Sequence, residues 1–274
     1  MPEITTERGC FHYLERTGNT PTLLFLHGNL GTARWWQAVL RHLPEGWRGL
    51  AYDALGHGNS DRPEGMEHYS VPARLRDLIA FVDRLGLHDF HLIAHSTATP
   101  VAIEYALMAP ERVNTMTLIG PVPATGVTTP QEAYPLLERL PGDATLMRQA
   151  LTASAPHLSP DNPLFEQALN DALTLAPLTL PAIARGLDAW KPGDRLEKLT
   201  LPVLLIRGAD DMMLGENEAH LTLLSIPGAG NLEILHDAGH SPMLETPAGL
   251  TELIVTFITE DWADFDRIRQ SIAD

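Results

Sequence analysis

A chain of 274 residues, 44% hydrophobic and 20% charged, has the makeup of one large globular domain or of a core carrying an insertion, and it excludes a disordered polymer. With 35 acidic against 19 basic side chains the formal charge is −16, which repels polyphosphate and anionic lipid and excludes nucleic acid and membrane surfaces as expected partners. The single cysteine, Cys10, cannot form an internal disulfide, no run reaches the roughly 18 apolar residues that span a bilayer, and the opening MPEITTERGC lacks the basic and apolar segments of a signal peptide, so a cytoplasmic location is expected.

ITTER and CFHYLERTG, near the start, predict an antiparallel hairpin at a sheet edge on a weak period-2 pattern. Short apolar runs bounded by turn residues then predict strands buried on both faces, first TLLFLHG (22–28) and RGLAYD (48–53). PARLRDLIAFVDRLGL (72–87) sets Leu75, Leu78, Ile79, Val82 and Leu85 along one helical face. DFHLIAHS (89–96) is a further strand, PVAIEYALMAPERV (100–113) a helix ending near Pro110, and VNTMTLIG (113–120) the next strand. From Val122 to about Leu199 the strand pattern stops, and helix-like pieces such as PQEAYPLLERL and PLFEQALNDALTLA take over. A structureless loop of that length is foreign to a compact domain. Residues 122–199 are therefore expected to form a helical cap; as the segment follows a strand end, where α/β folds place ligands, a lid is favoured over a mere enlargement of the core. PVLLIRGADD (202–211) and NLEILHDAGH (231–240) return to strand, and a helix starts near Thr246. The alternation predicts a mostly parallel sheet flanked by helices, in a core made of residues 1–121 and 200–274.

HLIAHSTATP (91–100) puts Ser96 where a strand turns at once into a helix, with Ala94 and Ala98 two places either side. That matches the G-x-S-x-G nucleophile elbow with alanine at both small positions, where strand and helix backbones come close. The turn would aim the amide of Thr97 at a developing negative charge, half of an oxyanion hole. A serine hydroxyl is a poor nucleophile at neutral pH, so this reading needs a base and a group to hold the base. In IRGADDMML the carboxylate just past a predicted strand is Asp211, preferred to its neighbour Asp210; HDAGHSPMLETP supplies His240 beyond a strand end. His236 falls inside the strand pattern and reads as a packed or surface residue. The order Ser96, Asp211, His240 is the one that accompanies this elbow. The second oxyanion donor is expected from the loop LHGNLG, as the amide of Asn29 rather than Leu30, with His27 bracing that loop; the His95 side chain is expected to point away from the nucleophile.

Taken together, FLHGNLGTARWW, AYDALGHGNSDRP, IAHSTATPVAIEYALMAPERV, GADDMM and AGHSPMLETP resemble the α/β-hydrolase superfamily, in its capped branch of small esterases, lactonases and related enzymes. The resemblance implies an eight-stranded-type sheet with a helical cap, and it implies that GHGNSDRP (56–63) is a turn bracing the active-site floor. Asn29 resembles the halide-binding asparagine of haloalkane dehalogenases, but those enzymes and epoxide hydrolases use an aspartate nucleophile where this chain has Ser96. Gly120–Pro121, at a strand end, lacks the carboxylate that some members use as the acid, which supports Asp211. The expected function is hydrolysis of a small, apolar carboxylic ester or lactone through an acyl-enzyme on Ser96, with carbon–carbon bond hydrolysis or a slow-turnover small-molecule receptor as alternatives. Trp35, Trp36, Trp190 and Tyr134 are candidate pocket aromatics. No Cys/His spacing for a metal and no glycine-rich nucleotide loop appears, so no cofactor or metal is expected; the oligomeric state stays open.

Overall fold

The computed structural model describes residues 1–260 and Trp262. The chain opens with an antiparallel hairpin, β1 (Glu3–Thr6) and β2 (Gly9–Arg16), in which Glu3 faces His12 and Thr5 faces Cys10. There follow β3 (Thr22–Leu26), α1 (Gln37–His42), β4 (Arg48–Tyr52), α2 (Val71–Arg84), β5 (Phe90–His95), α3 (Thr99–Met108) and β6 (Val113–Ile119). Between β6 and the next strand the chain is helical: α4 (Tyr134–Arg139), α5 (Ala144–Ser154), α6 (Pro163–Ala172) and α7 (Thr179–Ala189). It closes with β7 (Val203–Gly208), α8 (Glu216–Ser225), β8 (Ala229–Leu235), α9 (Pro242–Glu245) and α10 (Pro247–Thr259). The strand predicted over 231–240 thus ends five residues early, before the loop that carries His240.

The described strands form one eight-stranded sheet in the order β1-β2-β4-β3-β5-β6-β7-β8. The two pairings made by β2 are antiparallel and the other five are parallel, so the sheet is mostly parallel with an antiparallel edge. The strands read as unbroken apolar runs because successive side chains enter opposite cores. Leu24 and Leu26 of β3 and Leu92 and Ala94 of β5 pack with Leu78, Phe81 and Val101 on one face; Leu23, Phe25 and Ile93 pack with Val39, Ile254 and Phe257 on the other. Each of these leucine, isoleucine, valine and phenylalanine side chains, fully buried, contributes roughly 1.5–3 kcal/mol of transfer free energy.

From β3 the chain passes outward to β4, then crosses back over β3 to place β5 on its other side. The direction of winding therefore reverses between β3 and β5. Loops leaving the carboxyl ends of two such strands diverge to opposite faces and leave a crevice, where open α/β sheets take up ligands. Those two loops begin at His27 and Ser96.

The helices α4–α7 lie over this end. Met147, Leu151, Phe165, Ala168, Leu169 and Leu180 join the core that contains Trp35 and Trp36, while Ile183, Leu187 and Trp190 join the other. Polar contacts fix the same segment: Asp171 of α6 accepts from Thr32 Oγ1 at 3.0 Å and pairs through both carboxylate oxygens with the Arg34 guanidinium. Helix starts use side-chain acceptors at Ser70 (α2), Asp143 (α5) and Asn162 (α6), which satisfy amides left free in the first turn. Among the described residues no helix is long and apolar enough to cross a membrane.

Candidate active site

β5 stays extended through His95, and then Ser96 takes φ +53°, the one positive φ among described non-glycine residues, before α3 begins. A side chain at positive φ is held there by its surroundings. Ala94 and Ala98 are buried, Thr99 Oγ1 donates to the Ser96 carbonyl at 2.7 Å, and Arg74 Nη1 donates to the Thr97 carbonyl at 2.7 Å. The sharp turn lifts Ser96 Oγ to 2.8 Å from His240 Nε2. His240 Nδ1 is 2.9 Å from Asp211 Oδ2, and Asp211 Oδ1 accepts from the amides of Met213 and Leu214 at 2.8 and 3.1 Å. With the imidazole neutral, Nδ1–H donates to the carboxylate and Nε2 accepts from the serine. Burial works to raise the Asp211 pKa, but the hydrogen bond and charge of His240 and the two amides overcome it and hold the carboxyl below its usual range. Asp210 is turned elsewhere, with Oδ2 at 2.7 Å from His157 Nε2.

Across the crevice, Asn29 and Thr97 are joined by their side chains, Thr97 Oγ1 donating to Asn29 Oδ1 at 3.0 Å. Histidines brace the Asn29 loop. His27 Nδ1–H donates to the Gly28 carbonyl at 2.8 Å while its Nε2 accepts from the Ala54 amide at 2.9 Å, and His57 Nε2–H donates to the Asn29 carbonyl at 2.8 Å. Burial pushes the His57 pKa down to about 4 and that of His27 well below the usual value, so both rings stay neutral donors. The turn containing His57 is itself pinned by Asp53, which accepts from the amides of Ala33 and Asn59 at 2.7 and 2.9 Å.

Two expectations are corrected. The His95 side chain does not point away: its ring lies 4.9 Å from the His240 ring, its Nε2–H donates to the His240 carbonyl at 2.9 Å, and burial takes its pKa down to about 3. Strand alternation says which face a side chain takes but not what covers that face, and here the loop after β8 folds over it. Of the four aromatics proposed for the pocket, Trp35 alone lines the cavity above Ser96. Trp36 packs on Phe25 at 5.0 Å, Trp190 Nε1 donates to Glu104, and the Tyr134 hydroxyl donates to Asp188. The cavity, about 200 Å³, has Ser96 and His240 at its floor and walls supplied by Leu137, Leu140, Leu180 and Met213 as well as Trp35. Those leucines were visible in the sequence only as a helical apolar pattern. A possible metal-donor set lies far away on the edge hairpin, where Glu3, Cys10 and His12 bring ligand atoms within 4.8 Å of one another through cross-strand register rather than linear spacing.

The family model described as alpha/beta hydrolase fold matches residues 21–247. The chain belongs to the alpha/beta hydrolase fold family. An uncharacterized protein of Mycobacterium tuberculosis is 28% identical over 296 residues, covering 97% of this chain and 83% of that protein. The human monoacylglycerol lipase ABHD6 is 25% identical over 267 residues, 91% of this chain and 78% of the lipase. Among solved structures, the enol-lactonase from Burkholderia xenovorans superposes with a TM-score of 0.82 at 18% identity, covering 94% of this chain and 100% of the lactonase. An esterase from Exiguobacterium antarcticum gives 0.83 at 20% identity, with 94% and 99% covered. At such identities these structures share the alpha/beta hydrolase fold with this chain, and Ser96, His240 and Asp211 occupy its strand-end loops.

Proposed function

We propose that this protein is a serine hydrolase that cleaves a small, apolar carboxylic ester or lactone through an acyl-enzyme on Ser96. The observation that carries the reading is the continuous run Ser96 Oγ, His240 and Asp211, with contacts of 2.8 and 2.9 Å, at the floor of an apolar cavity. His240 Nε2 takes the serine proton as Oγ attacks the carbonyl carbon, and Asp211 steadies the imidazolium through Nδ1–H. The carbonyl oxygen gains the negative charge and meets the amides of Asn29 and Thr97. The imidazolium then passes its proton to the departing alkoxide as the ester C–O bond breaks; in a lactone the new hydroxyl stays tethered to the acyl group. Water attacks the acyl carbon with His240 again as base, and Ser96 recovers its proton as the acid leaves.

Residues 122–199 serve as a cap in this reading, because α4, α5 and α7 supply cavity walls. A volume of about 200 Å³ falls under the roughly 300–1,000 Å³ of pockets for drug-sized ligands, which favours short acyl groups. The names of the esterase, lactonase and lipase relatives agree with this chemistry.

The test is a panel of short p-nitrophenyl esters and lactones with the wild type and Ser96→Ala, alongside fluorophosphonate labelling mapped by mass spectrometry. The expected result is label on Ser96 and a loss of kcat on the order of 10³–10⁶ in the variant. Full hydrolysis by Ser96→Ala, or label elsewhere, overturns the proposal. Turnover of vinylogous diketones but not esters would select carbon–carbon hydrolysis, and ligand-induced thermal stabilisation without turnover would select a receptor.

A further inference from the structure

The residues beside the acid and the base, rather than those two groups themselves, are tied to one short stretch at the end of α5. Ser154 Oγ is 2.6 Å from Ser241 Oγ, next to His240, and both serines are buried. His157 Nε2 is 2.7 Å from Asp210 Oδ2, next to Asp211. The His157 amide donates to Glu245 Oε1 at 2.9 Å, and the other oxygen of that carboxylate accepts from the Gly239 amide, on the remaining side of His240, also at 2.9 Å. Between these contacts Pro156 seats so closely that a Cβ on Gly239 would fall 2.3 Å from its Cδ. The acid and base loops are in turn joined to one another by the Asp210 amide donating to the Ala238 carbonyl at 3.1 Å. The stretch 154–157 therefore grips both loops at residues adjacent to the working groups and leaves Asp211 and His240 free to bond to each other.

Building on the serine-hydrolase reading, we propose that His157 is a positioning residue: its imidazole on Asp210 holds the Asp211 loop in register with Ser96, while its backbone amide on Glu245 holds the His240 loop, so that docking of the helical segment and the geometry of the site are one event. Without the clamp either loop is freer to shift, and a misplacement of about 1 Å at a general base can cost on the order of a hundredfold in rate. The grip is also lopsided. The α5 end of the segment is held by polar contacts to the site loops, whereas Leu137 and Leu140, from α4 and the turn after it, reach the cavity as apolar wall. The α5 end is accordingly the fixed edge of the cavity.

The experiment compares His157→Ala, His157→Gln, Asp210→Ala and the double variant His157→Ala/Asp210→Ala with the wild type, by steady-state kinetics on a short p-nitrophenyl ester, thermal unfolding and amide hydrogen exchange of residues 208–246. Expected for His157→Ala are a kcat lower by about tenfold with KM changed by less than about twofold, faster exchange at the Asp210 amide and its neighbours on the acid loop, and partial recovery in His157→Gln, whose amide can still donate to Asp210. The double variant should be no slower than the worse single one, since both remove the same contact. Unchanged kcat and exchange, additive losses, or a loss that follows melting temperature without recovery in His157→Gln would each overturn the proposal. Exchange is read whether or not esters turn over, so a wild type with no ester hydrolysis would sink the proposed function while leaving the clamp to stand or fall on its own measurement.

Discussion

Asp210 and Asp211 are neighbours with the same side chain and opposite fates. Asp211 is buried and receives His240 Nδ1–H and two amides; Asp210 is more than half exposed and faces His157. Replacing Asp211 by Asn swaps an anionic acceptor for an amide that offers the wrong tautomer to the imidazole, and kcat should fall by roughly 10³–10⁴ with little change in KM. Asp210→Asn should cost about tenfold at most, and steady-state kinetics on one ester separates the two; a larger loss in Asp210→Asn than in Asp211→Asn would move the acid to Asp210. The preference for Asp211 could be read from its place just past a strand, since the chain must come back over the sheet edge there. The partner of Asp210 could not, because His157 is 53 residues away in the chain and the contact depends on how α5 ends. His95 was misread for a related reason: its partner is a carbonyl 145 residues further on.

The elements themselves were largely legible, because a buried parallel strand writes itself as an apolar run and its flanking helix as a 3.6-residue stripe. The edge hairpin was fainter: the half-buried positions of β1 and β2 blur the alternation. What the pattern could not give is why glycine follows β6. Gly120 sits at φ +50°, and a Cβ there would lie 2.9 Å from His240 Cε1 and Nδ1 and 3.3 Å from Asp211 Oδ2. The end of β6 is occupied by the imidazole that the acid after β7 holds, so a side chain at 120 and a histidine at this place exclude each other. Gly120→Ala should therefore lose about 1 kcal/mol or more to left-handed strain and, because the ring must shift, lower kcat at least about tenfold. Thermal unfolding and kinetics on the same preparation check both parts; a variant that is destabilised yet fully active would show that the ring tolerates displacement.

For the molecule as a whole, the excess of acid shapes solubility and encounter, while its dependence on pH is set by histidines that the fold keeps uncharged. Burial lowers the pKa of His57 and His91 to about 4 and of His95 to about 3, and takes His27 well below its usual value. For His27 the geometry says the same, since Nε2 accepts from an amide and has no room for a proton. Unfolded, each of these side chains returns to a pKa near 6.5. The unfolded chain thus binds more protons than the folded one between about pH 6.5 and 4, and stability rises with pH across that window. It is fully present above about pH 7 and is lost as pH falls, by up to about 1.4 kcal/mol per pH unit for each histidine. Asp53, Asp77 and Glu245, whose pKa values burial raises, oppose the trend. Urea unfolding at pH 7.5, 6.5, 5.5 and 5.0 should show free energy dropping steeply below pH 6.5. His91 lies on β5 away from Ser96, bonded through Nδ1 to Thr115 Oγ1 at 2.8 Å, so His91→Gln can replace it without touching the cavity. That variant should bind one proton fewer on unfolding and show a shallower slope; a free energy flat from pH 7 to 5 in both proteins would mean that these rings already carry charge in the folded state.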